Sequence, residues 1–118
     1  AFDRILANKG TLLIAVPNFS APERYFYKNN WAPYDAPRHL YHFNITTLNI
    51  LCNRYGYTII RKYSIYQDLP YNILLSMKNY SFLEIIKTIF VASLSLMITS
   101  ILGPNYSSSI LVLCKKSN

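Results

Sequence analysis

Residues 82–102 constrain this chain more than any other stretch: 21 residues in which Glu84 and Lys87 are the only charged side chains. At about 1.5 Å per residue, a helix of that length matches the thickness of a bilayer core. Both charges sit near its start, and only 15 residues run from Thr88 to Leu102 before Gly103 and Pro104 break the helix. That is short of the roughly 20 apolar residues a span needs. At about 100° per residue, Glu84, Thr88, Ser95 and Thr99 share one narrow stripe, and the other faces are mostly apolar. The leading expectation is a helix whose apolar side covers a sheet or meets a second copy. The alternative is contact of 82–102 with a membrane surface; a true span is set aside.

The chain of 118 residues holds one domain at most. With 52% hydrophobic and 14% charged residues it must bury apolar surface, which excludes a disordered chain. Twelve basic residues against five acidic give a net charge of +7. The leading reading of such a balance is simple solubility; the alternatives are nucleic acid or an anionic membrane surface as partner. The longest basic runs are the pairs Arg61-Lys62 and Lys115-Lys116, and this scatter argues against a nucleic-acid partner. Cys52 and Cys114 are too few for a disulfide framework and fit no zinc motif, so they read as reduced core thiols of a cytoplasmic protein.

Apolar residues at 2, 5 and 6 before Gly10 predict a helix near 1–9, uncapped at its start. The chain is therefore expected to begin inside a larger domain. Residues 11–16 are a continuous apolar run, as in a strand buried on both faces, and Pro17 ends it. Residues 18–43 form a long aromatic-rich connection, with a short helix expected near 22–28 capped by Ser20. Asn44 caps a helix over 45–55, where residues 45, 48, 51, 52 and 55 make one apolar face, and Gly56 closes it. Residues 57–66 are rich in β-branched and aromatic side chains, which predicts a strand. A helix over 70–79 opening at Pro70, the long helix 82–102 and a strand over 108–116 complete the chain, so that 70–104 form a helical insertion. Helices alternating with buried strands make an α/β fold in a single partial domain, 1–118.

The densest polar constellation lies in residues 31–43. Asp35, Arg38, His39 and His42 fall within eight residues, flanked by Trp31, Tyr34 and Tyr41. A histidine can take a proton near neutral pH, an aspartate can orient it and an arginine can clamp an anion. The structural alternative is a local Asp35–Arg38 ion pair that stiffens a turn, with both histidines bonded to backbone. The His-x-x-His spacing is shorter than that of helical zinc sites, and no second His or Cys cluster exists, so no metal is expected. Three isolated glycines make no phosphate-cradling loop.

Lys9-Gly10 followed by the apolar run to Asn18 resembles the entry to the fifth strand in class I S-adenosylmethionine-dependent methyltransferases. The run Asp35-Ala36-Pro37-Arg38-His39-Leu40-Tyr41-His42-Phe43 resembles the signature of a bacterial branch of that superfamily, followed there by a Thr-x-x-x-Leu helix and a Gly-aromatic-x-Ile strand. Residues 108–116 resemble its antiparallel last strand. The resemblance covers residues 1–116 and departs from the family in lacking the glycine-rich first loop and the acidic ribose-binding residue.

The resemblance implies the C-terminal part of a Rossmann-like sheet, with the last strand antiparallel between the other two. It implies that S-adenosylmethionine is bound mainly by residues this chain does not contain, that 18–43 is the acceptor-side loop, and that the chain alone is inactive. His39 and His42 are then the catalytic candidates. Asn18, Trp31, Tyr34, Asp35, Arg38 and Tyr41 are candidates for binding a small-molecule, glycan or lipid-linked acceptor. The implied protein is cytoplasmic or peripheral to the inner face of the membrane. Its fifth strand, without its neighbour, would expose an apolar edge, and a homo-oligomer is expected. The rival expectation is a non-enzymatic binding or assembly module.

Overall fold

The computed structural model describes residues 6, 7, 9–35 and 37–117. Its sheet is built around the last strand. Strand β1 (Thr11–Pro17), β2 (Tyr57–Ile65) and β3 (Ser109–Lys116) lie in the order β1-β3-β2. β3 pairs antiparallel with both neighbours, Ile14 opposite Val112 and Ile59 opposite Cys114. The expected strand positions and the central antiparallel strand are thus present, each within a residue of its expected ends. The register shifts between Ile59 and Arg61, so Ile60 is the extra residue of a β-bulge.

Helix α1 (Pro22–Tyr27) and two 3₁₀ turns, Lys28–Asn30 and Ala32–Tyr34, organise the long connection after β1. Pro22 starts α1 because a proline there forfeits no intrahelical bond, but Ser20 is not its cap; the N-cap is Ala21, without a side-chain hydrogen bond. Helix α2 (Ile45–Arg54) opens with a reciprocal cap. The Asn44 side chain accepts from the Thr47 backbone N–H at 2.9 Å, and the Asn44 N–H donates to the Thr47 hydroxyl at 3.0 Å. Gly56, at φ 75°, supplies the left-handed turn into β2. Helix α3 (Asp68–Ser76) begins two residues before the expected position and ends three before it. Its first turn tolerates Pro70 because the N–H groups there have no helical acceptor in any case. Helix α4 (Phe82–Leu102) matches its expected bounds. The expected helix near 1–9 falls largely outside the described residues.

Two apolar clusters result. In the first, α2 packs Leu48 and Cys52 on the sheet face carrying Tyr57, Ile110, Val112 and Cys114. Burying a leucine or isoleucine there stabilises the fold by about 1.5–3 kcal/mol. The Cys52 and Cys114 sulfurs are free thiols 3.7 Å apart. Burial, reinforced by Cys52, pushes the Cys114 thiol up to about 12, which keeps it protonated. The second cluster joins Ala21, Tyr27, Trp31, Leu69, Ile73 and Val91 between α1, α3 and α4.

Two expectations are corrected here. β1 is not buried on both faces: Leu12, Ile14 and Val16 turn toward α2, whereas Leu13 is 59% exposed. Nor does α4 cover the sheet; it packs on α1, α3 and the turn Pro104–Tyr106.

A buried polar seam joins the helices to the sheet. The Asn18 amide donates to the carbonyls of Asn105 at 2.9 Å and Ser107 at 2.8 Å, and its oxygen accepts from Ser20 N–H at 3.0 Å. The backbone N–H of Asn18 donates to Ser108 at 2.9 Å. Asn72 donates to the Ser108 hydroxyl at 2.8 Å, and the Ser95 hydroxyl donates to a Glu23 carboxylate oxygen at 3.2 Å. Glu23 is fully buried. Burial raises its carboxyl above the ordinary 4.5, and the hydroxyls of Ser108 and Ser95 only partly oppose this.

Two measurements probe the seam. Asn18→Ala strands buried carbonyls at about 1–3 kcal/mol each, so a loss of about 3 kcal/mol in urea unfolding is expected; a loss under about 1 kcal/mol would mean that water replaces the amide. For Glu23 the folded-state value is raised, so its contribution is fully present below pH 4.5 and is lost as pH climbs through the raised value. Glu23→Gln, which never ionises, is expected to flatten the fall in melting temperature above pH 4.5; an unchanged pH profile would contradict the buried-acid account.

Candidate functional site

The constellation of residues 31–43 is held between the end of β1 and the start of α2. The chain returns to β1 where Phe19 N–H donates to the Phe43 carbonyl at 2.8 Å, beside a parallel bridge between Asn18 and Phe43. Within that closed loop the rings pack on one another. Tyr34 meets Trp31 edge-on at 5.1 Å and His42 edge-on at 5.0 Å, and His42 stacks on Phe19 at 6.0 Å. Arg24 of α1 fastens the group: its Nε donates to the Phe19 carbonyl at 2.6 Å, and its guanidinium lies 4.0 Å over the Phe19 ring and reaches the Tyr34 hydroxyl at 3.3 Å. A cation over an aromatic face, with its donors engaged, is a rigid bracket.

Two open clefts flank this loop. One of about 410 Å³ is lined by Asn29, Asn30, Trp31, Tyr34, Asp35 and Arg38, with Ala32 and Leu75. The other, about 260 Å³, is lined by Val16, Pro17, Arg38, His39, Leu40, Tyr41 and Phe43. Arg38 lines both, so one guanidinium stands on the wall between them. Its Nε lies 3.0 Å from the Asp35 carboxylate, and the two side chains are 79% and 43% exposed. An ion pair so open to water contributes at most about 1 kcal/mol, so Arg38 can exchange Asp35 for an anionic ligand at low cost.

The structure thus brings Trp31, Tyr34, Asp35 and Arg38 to one cleft and Arg38, His39 and Tyr41 to the other. His39 is half-buried, its backbone N–H donates to the Asp35 backbone carbonyl at 3.0 Å, and its Nδ1 has no hydrogen-bond partner among the described residues. His42 belongs to the ring cluster. Asn18 is buried, and among the described residues its amide bonds to backbone groups of Ser20, Asn105 and Ser107. Sequence reasoning missed Arg24 and Glu23. The spacing of Arg24 from Phe19 carries no motif; an acid placed among alanine, proline and aromatic residues at 21–27 was the one available sign that Glu23 turns inward. Among the described residues no three His, Cys, Asp or Glu side chains converge as metal ligands.

The glycines do not form a nucleotide cradle. At Gly10 the space a Cβ would take is filled by Leu6, whose Cγ would lie 2.7 Å away, and Gly56 and Gly103 serve open turns at φ 75° and 84°. No protein-family model, curated protein or solved structure matches this chain.

Proposed function

We propose that this chain is the acceptor-binding part of an S-adenosylmethionine-dependent methyltransferase. The acceptor class is a small molecule, a glycan or a lipid-linked molecule. The observation that carries the reading is the sheet order, with β3 antiparallel between β1 and β2. It is the arrangement that the resemblance at residues 9–18 and 35–43 implies. It is further supported by the position of the smaller cleft, which is lined by Val16 and Pro17 at the end of β1; in α/β sheets ligands gather beyond strand ends.

In this reading Arg38 holds an anionic group of the acceptor in place of Asp35. Trp31, Tyr34 and Tyr41 wall the clefts, and His39 takes the acceptor proton. His42 acts through its contact with Tyr34 as a positioning residue. The protein's share of the work is to hold the acceptor in line and dry, since orientation supplies a large part of such a barrier. The protein is read as cytoplasmic or peripheral to the inner face of the membrane. The second reading, a non-enzymatic binding or assembly module working as a homo-oligomer, is favoured by the open sheet face at Leu13 and by the side of β1 that has no strand partner among the described residues.

The full-length protein decides between them. In calorimetry it is expected to bind S-adenosylmethionine, and with labelled cofactor to methylate a component of a lipid, glycan or metabolite fraction. Arg38→Ala should then raise KM for that acceptor about tenfold or more, as loss of a charge-assisted bond of about 1.5–3 kcal/mol requires. His39→Ala should lower kcat about 100-fold, with a changed pH profile and an unchanged melting temperature. Absence of cofactor binding by the full-length protein would overturn the enzyme reading and leave the assembly module.

A further inference from the structure

Helix α4 is turned inside out for a protein in water. Its inward stripe is polar. Thr88 shares a hydrogen bond with the Tyr27 hydroxyl at 3.0 Å, Ser95 donates to Glu23 at 3.2 Å, and Thr99 donates to the Tyr106 carbonyl at 3.2 Å. Val91, Ser95 and Thr99 are its buried residues. Its outward side carries Phe82, Leu83, Ile86, Ile89, Phe90 and Met97, each about half exposed or more, and Phe82 and Leu83 reach 76% and 77%. No charged side chain interrupts that face. Ser93, which does, donates its hydroxyl back to the Ile89 carbonyl at 2.8 Å, as hydroxyls in apolar surroundings do. A surface helix of a soluble domain has the reverse order, with its apolar stripe on the core.

We propose that this face docks on the surface of an anionic lipid bilayer, with α4 lying in the plane of the interface. The apolar face alone would suit a second copy equally well; charge decides for lipid. The chain carries +7, which repels a second copy and draws it toward anionic headgroups. The cations Lys28 and Lys78 stand at the end of α1 and in the link before α4. Of the acids nearby, Glu84 pairs with Lys87 at 3.5 Å and Glu23 is buried. Tyr80, 80% exposed, and Tyr106, 41% exposed, bracket the helix, and tyrosine is enriched at the headgroup level. By length and composition α4 could cross a bilayer; the attachment of its polar stripe to α1 and to the seam opposes this, because spanning would drag the exposed Arg61, Lys62, Lys115 and Lys116 of the sheet toward the hydrocarbon. The geometry is that of an interfacial helix with half its circumference on protein and half on acyl chains. This inference stands apart from the methyl-transfer reading and does not need it.

The test is flotation of the full chain with vesicles of phosphatidylcholine and phosphatidylglycerol, and in parallel with pure phosphatidylcholine. Binding is expected to the first, weaker binding to the second, and a decline with added salt. Ile86→Glu with Ile89→Glu should lower partitioning about tenfold or more, with helix content and melting temperature unchanged. Leu83→Glu with Met97→Glu is a second pair should the first lose its fold, and it should do the same. Failure of the parent chain to float, or equal flotation of parent and glutamate variants, overturns the proposal. So does a parent chain that stays in solution as a dimer which the glutamates split, because the face then belongs to a second copy.

Discussion

The fold depends on a polar joint in an otherwise apolar chain. Asn18 sits where β1 ends, where the loop returns at Phe43, and where the chain turns from Asn105 into β3. Three segments distant in sequence converge there, and each brings backbone groups that no strand ladder satisfies. The Asn18 side-chain amide and the backbone N–H groups of Asn18 and Phe19 answer them. Such groups are costly to leave unpaired in a dry interior. The helices α1, α3 and α4 therefore register against the sheet through directional bonds at Asn18, Asn72, Ser95 and Ser108, where apolar contact alone would allow sliding.

The strands and the two best-marked helices were legible because local chemistry and pattern agree in them. Asn44 and Thr47 bound α2 from one side and Gly56 from the other. Gly103 and Ser81 bound α4. The misjudgements share a different cause. An unbroken apolar run says that a strand is apolar on both sides, not that both sides are covered, and Leu13 is the result. A helical wheel locates the stripe of Glu84, Thr88, Ser95 and Thr99 without saying which way it faces. Its partners on other elements, Tyr27, Glu23 and Tyr106, settle that it faces inward. At α3, Pro70 marks the opening in the sequence, yet the whole first turn of a helix lacks acceptors for its N–H groups, and the helix opens two residues earlier at Asp68.

The candidate site was legible as a set of residues but not as a geometry. Residues 31–43 are adjacent in sequence, and their types alone mark them. Their division between two clefts, with Arg38 between, follows from the ring cluster of Phe19, Trp31, Tyr34 and His42. Arg24 fastens that cluster from outside the segment, and the contact exists only once α1 has folded back on Phe19.

The bulge at Ile60 makes the two margins of the sheet chemically unlike. Along β2 the ladder is interrupted by the extra residue, and the next two side chains are the cations Arg61 and Lys62. A strand approaching there meets a twisted, broken row of partners and a positive charge. Along β1, Thr11–Pro17 runs unbroken and without a charged side chain. The sheet has a finished margin and a growing one. Any added strand, from this polypeptide or another, has one side on which to nucleate, and its alignment is dictated by the pleat of β1, because a slip of one residue would turn the added strand's own side chains away from the face that carries Leu12, Ile14 and Val16.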